Sequence, residues 1–121
     1  MRRTSIALIV WAVALPAWAQ PPRCSDISAC RAAVGRGSYD QAEQGLALLR
    51  GGEATLLRAR VLLERGRYEQ AGRLVTPLSR AGADRIGAAT LLGEAEMAQG
   101  RLDQAQRALE SVASEPAAHR A

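Results

Sequence analysis

Apolar positions recur at helical spacing from residue 25 to residue 113, and glycines interrupt them at short intervals. Ile27, Cys30, Ala33 and Val34 share one face of a first helix, Ser25 to Val34, with Ser25 or Asp26 as its cap and Gly35-Arg36-Gly37 as its end. Ser38 is placed to cap a second helix. Its Tyr39, Ala42, Leu46 and Leu49 point inward, Ala47 and Leu48 widen the apolar surface, and Gly51-Gly52 breaks it. The third, about Glu53 to Arg65, is apolar at Leu56, Leu57, Ala59, Val61, Leu62 and Leu63. A helix apolar over so much of its circumference must be sandwiched between neighbours. The fourth runs from Tyr68 towards Arg80 with Pro77 inside it, which predicts a kink or an early end near Thr76. A fifth spans about Asp84 to Gln99. The sixth, Leu102 to Val112, carries Leu102, Ala105, Ala108, Leu109 and Val112 as one stripe, with polar residues on the remainder. A polar outer face suits the last element of a repeat array, so three hairpins are expected to complete it.

The pattern is also periodic at longer range. Gly37-Ser38-Tyr39-Asp40-Gln41-Ala42, Gly66-Arg67-Tyr68-Glu69-Gln70-Ala71 and Gly100-Arg101-Leu102-Asp103-Gln104-Ala105 are copies offset by 29 and then 34 residues. Leu57 to Arg65 and Leu91 to Gln99 lead into the second and third glycines in matching fashion. Such periods are read before anything else because they decide the fold. Leu92-Gly93 through Gly100, Leu102 and Ala105 resembles the tetratricopeptide repeat, and the resemblance extends over residues 25–113 as three degenerate copies. The bulky aromatic usual in the first helix of that repeat is missing from all three, and the first copy is about five residues short. The resemblance implies an all-α fold: a right-handed superhelical array, or α-solenoid, of about three antiparallel helical hairpins. The glycines are then joints, the small residues Ala42, Ala59, Ala71, Gly93 and Ala105 allow close helix approach, and Tyr39, Tyr68 and Leu102 fill the gaps beside them.

In that family the first helices of successive hairpins line a concave groove for an extended or helical peptide. Carried to matching positions, the groove is expected to show Ile27, Arg31 and Val34 from the first hairpin. Glu53, Leu56, Arg60, Leu63 and Glu64 follow from the second, then Thr90, Glu94 and Met97 from the third. Leu56, Leu63 and Met97 are the most informative of these, because exposed aliphatics ask for a partner; their alternative is packing between hairpins. The basic-and-amide clamp that some members use for peptide carboxylates is absent, which argues against recognition of chaperone tails.

The chain begins Met1-Arg2-Arg3, is apolar from Ile6 to Ala19 and reaches Ala17-Trp18-Ala19, the pattern of a secretory signal peptide. Its 14 apolar residues would span only about 21 Å as a helix, short of a roughly 30 Å hydrocarbon core. The expected organisation is a signal peptide at 1–19, a linker at 20–24, the repeat domain at 25–113 and a flexible tail at 114–121. No transmembrane segment would remain after cleavage, and the periplasm is the expected location. Losing Arg2 and Arg3 reduces 16 basic residues against 12 acidic ones to 14 against 12. That balance, with few aromatics, removes the case for nucleic acid. In an oxidising compartment Cys24 and Cys30 can form a disulfide if Cys24 precedes the helix; the other reading is a pair of small packing residues.

Chemistry is sparse. His119, the single histidine, lies in the tail, where nothing would orient it as a general base. Glu94 and Glu96 are two apart and do not face each other on a helix. Gly35-x-Gly37 lacks the context of a phosphate loop, and lysine is absent. No enzyme activity, cofactor or metal is expected. The reading is an exported, non-catalytic interaction module that binds a protein or peptide partner in the cell envelope, where it can be part of a larger envelope complex. The alternative is a small self-associating scaffold that uses its convex helices.

Overall fold

The hairpin joints are copies of one another in space as well as in sequence. Gly37, Gly66 and Gly100 have φ of 75°, 77° and 76°, the left-handed region that glycine enters without steric cost. At the middle joint the Gly66 amide donates to the Leu63 carbonyl (3.0 Å) and the Arg67 amide to the Leu62 carbonyl (2.8 Å). The outer joints repeat the second of these bonds, from the Ser38 amide to the Ala33 carbonyl and from the Arg101 amide to the Glu96 carbonyl, both at 2.9 Å. These bonds satisfy carbonyls that a helix end would leave open.

The computed structural model describes residues 23–113. The expected signal peptide at 1–19, most of the linker and the tail with His119 lie outside the described residues. Among the described residues are six helices and no strand: α1 (Ile27–Gly35), α2 (Tyr39–Leu46), α3 (Gly52–Glu64), α4 (Tyr68–Arg80), α5 (Arg85–Ala98) and α6 (Leu102–Ala113). They form three hairpins, α1–α2, α3–α4 and α5–α6, stacked into an α-solenoid.

The third helix is sandwiched, as its circumference required: α3 packs on α1, α2, α4 and α5. It also divides the interior. Ala54 and Val61 join Cys30, Ala33, Ala42 and Leu46 in one cluster, while Ala59, Leu62 and Leu63 join Ala71, Val75, Ala88, Leu91 and Ala95 in another. No polar or charged residue among those described is buried.

Cys24, ahead of α1, is disulfide-bonded to Cys30 within it, so of the two readings of the pair the structure has the bonded one. Asp26 is the cap, its Oδ1 accepting from the Ala29 amide at 2.7 Å. The Cys24 sulfur rests on α2, 3.4 Å from the Gln41 carbonyl oxygen. A bonded sulfur has no proton to donate, so this is packing. It closes over Gly45, where a methyl group would stand 2.2 Å from the sulfur.

Several expectations are corrected. Pro77 does not end α4, which continues to Arg80. Val75 is fully buried and Leu74 and Leu78 pack on the same cluster. Burial of about 1.5–3 kcal/mol per aliphatic side chain outweighs a proline cost of about 3 kcal/mol. Ser38 sits at the cap position of α2 but its hydroxyl makes no capping bond. Leu48 is beyond the end of α2 and is exposed. Leu102 does not fill a gap: it is 66% exposed, and Tyr68 is also on the surface.

Candidate functional site

The offsets of 29 and 34 place Arg31, Arg60 and Glu94 at one repeat position on α1, α3 and α5. Stacking brings successive copies together. Arg60 donates twice to Glu94, Nη1 to Oε2 at 2.6 Å and Nη2 to Oε1 at 3.1 Å, with both side chains 38% exposed. This fork geometry is the stronger form of ion pair. It raises the Arg60 pKa above its ordinary value, chiefly through the hydrogen bond to Glu94 and against the cost of burial, with Glu64 adding a Coulomb attraction. Arg31 faces another arginine at the matching position and pairs with Glu53 instead, in the open. An exposed pair of this kind contributes about 0–1 kcal/mol and yields easily to a competing charge.

Between these pairs lies an open cleft of about 390 Å³. Leu56, Leu57 and Leu91 form its apolar floor, and Arg31, Glu53, Arg60 and Thr90 its rim. Gly87 keeps it open, since a methyl there would stand 3.1 Å from Leu56 Cδ1. The repeat offset matches Gly87 with Glu53, so the same position is a carboxylate in one hairpin and empty in the next. Thr90 turns its hydroxyl back to the Ile86 carbonyl at 2.9 Å and presents its methyl edge. Such a surface can hold an aliphatic side chain in the floor and exchange charged partners at the rim.

The structure thus brings together Arg31, Leu56, Arg60 and Thr90 around one cleft, with Glu94 behind Arg60. It separates the other three. Leu63 is 9% exposed and belongs to the core cluster with Ala88, Leu91 and Ala95. Glu64 is exposed but does not line the cleft. Met97, 47% exposed, lines a different apolar cleft of about 330 Å³ with Leu102, Ala105 and Leu109 at the α5–α6 end of the stack. That end is therefore less polar than the single stripe on α6 implied. Sequence reasoning missed Leu57, Leu91 and Gly87; the 34-residue offset, which matches Leu57 with Leu91 and Glu53 with Gly87, was the available signal.

Residues 62–120 match the family model described as tetratricopeptide repeat. Over that segment the chain is similar to the tetratricopeptide repeat. The first hairpin lies outside the matched segment, yet its joint at Gly37 has the geometry of those at Gly66 and Gly100. No curated protein and no solved structure matches the chain. Tetratricopeptide repeats generally mediate protein–protein interaction and are typically non-catalytic. Among the described residues no group of three His, Cys, Asp or Glu could hold a metal ion, and no helix is long and apolar enough to cross a membrane.

Proposed function

We propose that this chain is an exported, non-catalytic interaction module of the bacterial periplasm that holds a segment of a partner protein across α1, α3 and α5. The carrying observation is the cleft whose leucine floor is flanked by the Arg31–Glu53 and Arg60–Glu94 pairs. An aliphatic side chain of the partner enters the floor, and its flanking charges compete for the exposed Arg31–Glu53 pair. The signal-like sequence at 1–19 and the Cys24–Cys30 disulfide support an oxidising, extracytoplasmic site of action.

The test uses Leu56→Asp with Arg60→Glu, compared with the unaltered protein in pull-downs from envelope extract. Partners that bind the unaltered protein and are lost from the folded double variant support the cleft. Unchanged capture by that variant removes the assignment. Leu63, being in the core, is unsuited to this test. A second reading, self-association, is favoured by Met97 and Leu102 on the open α5–α6 end. Light scattering separates the two, since a dimer stable on dilution and abolished by Leu102→Glu would support the scaffold.

A further inference from the structure

On the face opposite the cleft, the valley between α2 and α4 over α3 has an unusual electrostatic character. It forms a cavity of about 450 Å³ with Leu62 and Leu74 among its lining residues. Arg58 from α3 and Arg73 from α4 line it with Arg67 and Gln70. Arg58 and Arg73 have no ion pair or hydrogen bond among the described residues. Arg67 is held loosely, its Nη1 3.6 Å from Glu43 Oε1. That oxygen is shielded from solvent and has no hydrogen-bond partner.

Glu43 does not neutralise the cavity. Its Oε2 accepts from Arg65 Nη1 at 2.9 Å, and Arg65 also meets Asp40 at 2.8 Å. Four guanidinium groups (Arg58, Arg65, Arg67, Arg73) therefore stand against two carboxylates (Asp40, Glu43). The excess of two positive charges lies on the side chains that lack partners. Arg31 and Arg60, which rim the cleft, are each paired with a glutamate of another helix. Here they are left open.

We infer that this cavity is a second binding site, for an acidic peptide segment that carries glutamate or aspartate beside aliphatic residues. It is independent of the α1–α3–α5 cleft. Guanidinium forks suit carboxylates through paired N–H···O bonds. The Gln70 amide can both donate to and accept from a peptide backbone. Leu62 and Leu74 give an aliphatic neighbour somewhere to rest, a feature that inorganic phosphate would not use. No aromatic side chain lines the cavity to stack a base, which separates it from a nucleic-acid groove.

The experiment is fluorescence anisotropy with the purified protein and a labelled peptide alternating glutamate and leucine. A glutamine–leucine peptide of the same length is the uncharged control. The glutamate peptide binds and the glutamine peptide does not. Arg58→Glu with Arg73→Glu weakens binding by about tenfold or more, the loss expected for charge-assisted hydrogen bonds. Both residues are exposed and unpaired, so the helix signal and melting temperature stay close to the parent. Arg58→Lys with Arg73→Lys retains part of the affinity. Arg36→Glu with Arg107→Glu, which changes net charge equally at other sites, leaves it intact. Absence of glutamate-peptide binding overturns the inference, as does equal loss in the two charge-reversal pairs. Displacement by inorganic phosphate, where chloride of matched ionic strength has no effect, assigns the arginines to phosphate and overturns it too.

Discussion

Gly72 and Gly93 lie in consecutive helices, both are buried against a neighbouring helix, and the structure predicts opposite signs for their replacement by alanine. At position 72 a methyl would meet Leu92 Cδ1 at 3.6 Å and Ala95 Cβ at 3.8 Å, ordinary contact distances. The change then brings the helix-propensity gain of about 1 kcal/mol. At position 93 the methyl would stand 2.8 Å from both Cγ and Cδ2 of Leu109, about 1 Å inside favourable carbon–carbon contact. Overpacking costs about 1–3 kcal/mol, and half-exposed Leu109 can move part of the way towards solvent, so about 2 kcal/mol is reasonable. Subtracting the propensity gain leaves Gly93→Ala destabilised by about 1 kcal/mol. Thermal unfolding followed by far-UV circular dichroism reads both, and the variants should melt on opposite sides of the parent by roughly 4–8 °C each. Adding Leu109→Ala should remove most of the penalty at 93 relative to Leu109→Ala alone. Gly93→Ala equal to or more stable than the parent, or a loss at 72 as large as at 93, refutes the packing account.

Gly66→Ala meets no neighbouring atom, so its cost is that of the left-handed backbone alone, about 1–2 kcal/mol by the same unfolding assay. Reduction of Cys24–Cys30 should cost about 2 kcal/mol by the loop-closure model, and intact mass should show the two hydrogens gained. A double-mutant cycle on Arg60→Ala and Glu94→Ala should give a coupling of about 0.5–1 kcal/mol that shrinks in high salt, because the pair is partly exposed. The Arg60 pKa is raised in the fold, so its stabilisation is complete below the ordinary arginine range and fades only as pH rises through the raised value. Titration of the Arg60→Ala variant between neutral and mildly alkaline pH should therefore run parallel to the parent.

The fold was legible because every level of the sequence agreed. Glycine spacing set the joints, helical periodicity set the elements, and α3 announced its sandwiched position through Leu57, Ala59, Val61 and Leu62. Pro77 misled because a local penalty is visible in sequence, whereas the burial of Val75 that offsets it is not. Ser38 misled for a related reason. The Schellman-type bonds of the preceding joint already fix the chain there, so its hydroxyl has no structural task.

The site was half legible, and its errors share one cause. Val34, Leu63 and Met97 occupy the same repeat position, as do Tyr39, Tyr68 and Leu102. A sequence match treats such copies as equivalent; a finite stack does not. Leu63 is buried because α5 follows α3, joining it to Ala88, Leu91 and Ala95. Met97 has no later hairpin among the described residues and stays 47% exposed. Leu102 is likewise more exposed than Tyr68, 66% against 37%, although it is the smaller side chain. Position within the stack, rather than residue type, decides which apolar copies become core and which become surface. The same reasoning explains why the cleft lies at Leu56 and Thr90. There the repeat substitutes Gly87 for Glu53, and the space a carboxylate occupies in one hairpin stands open in the next.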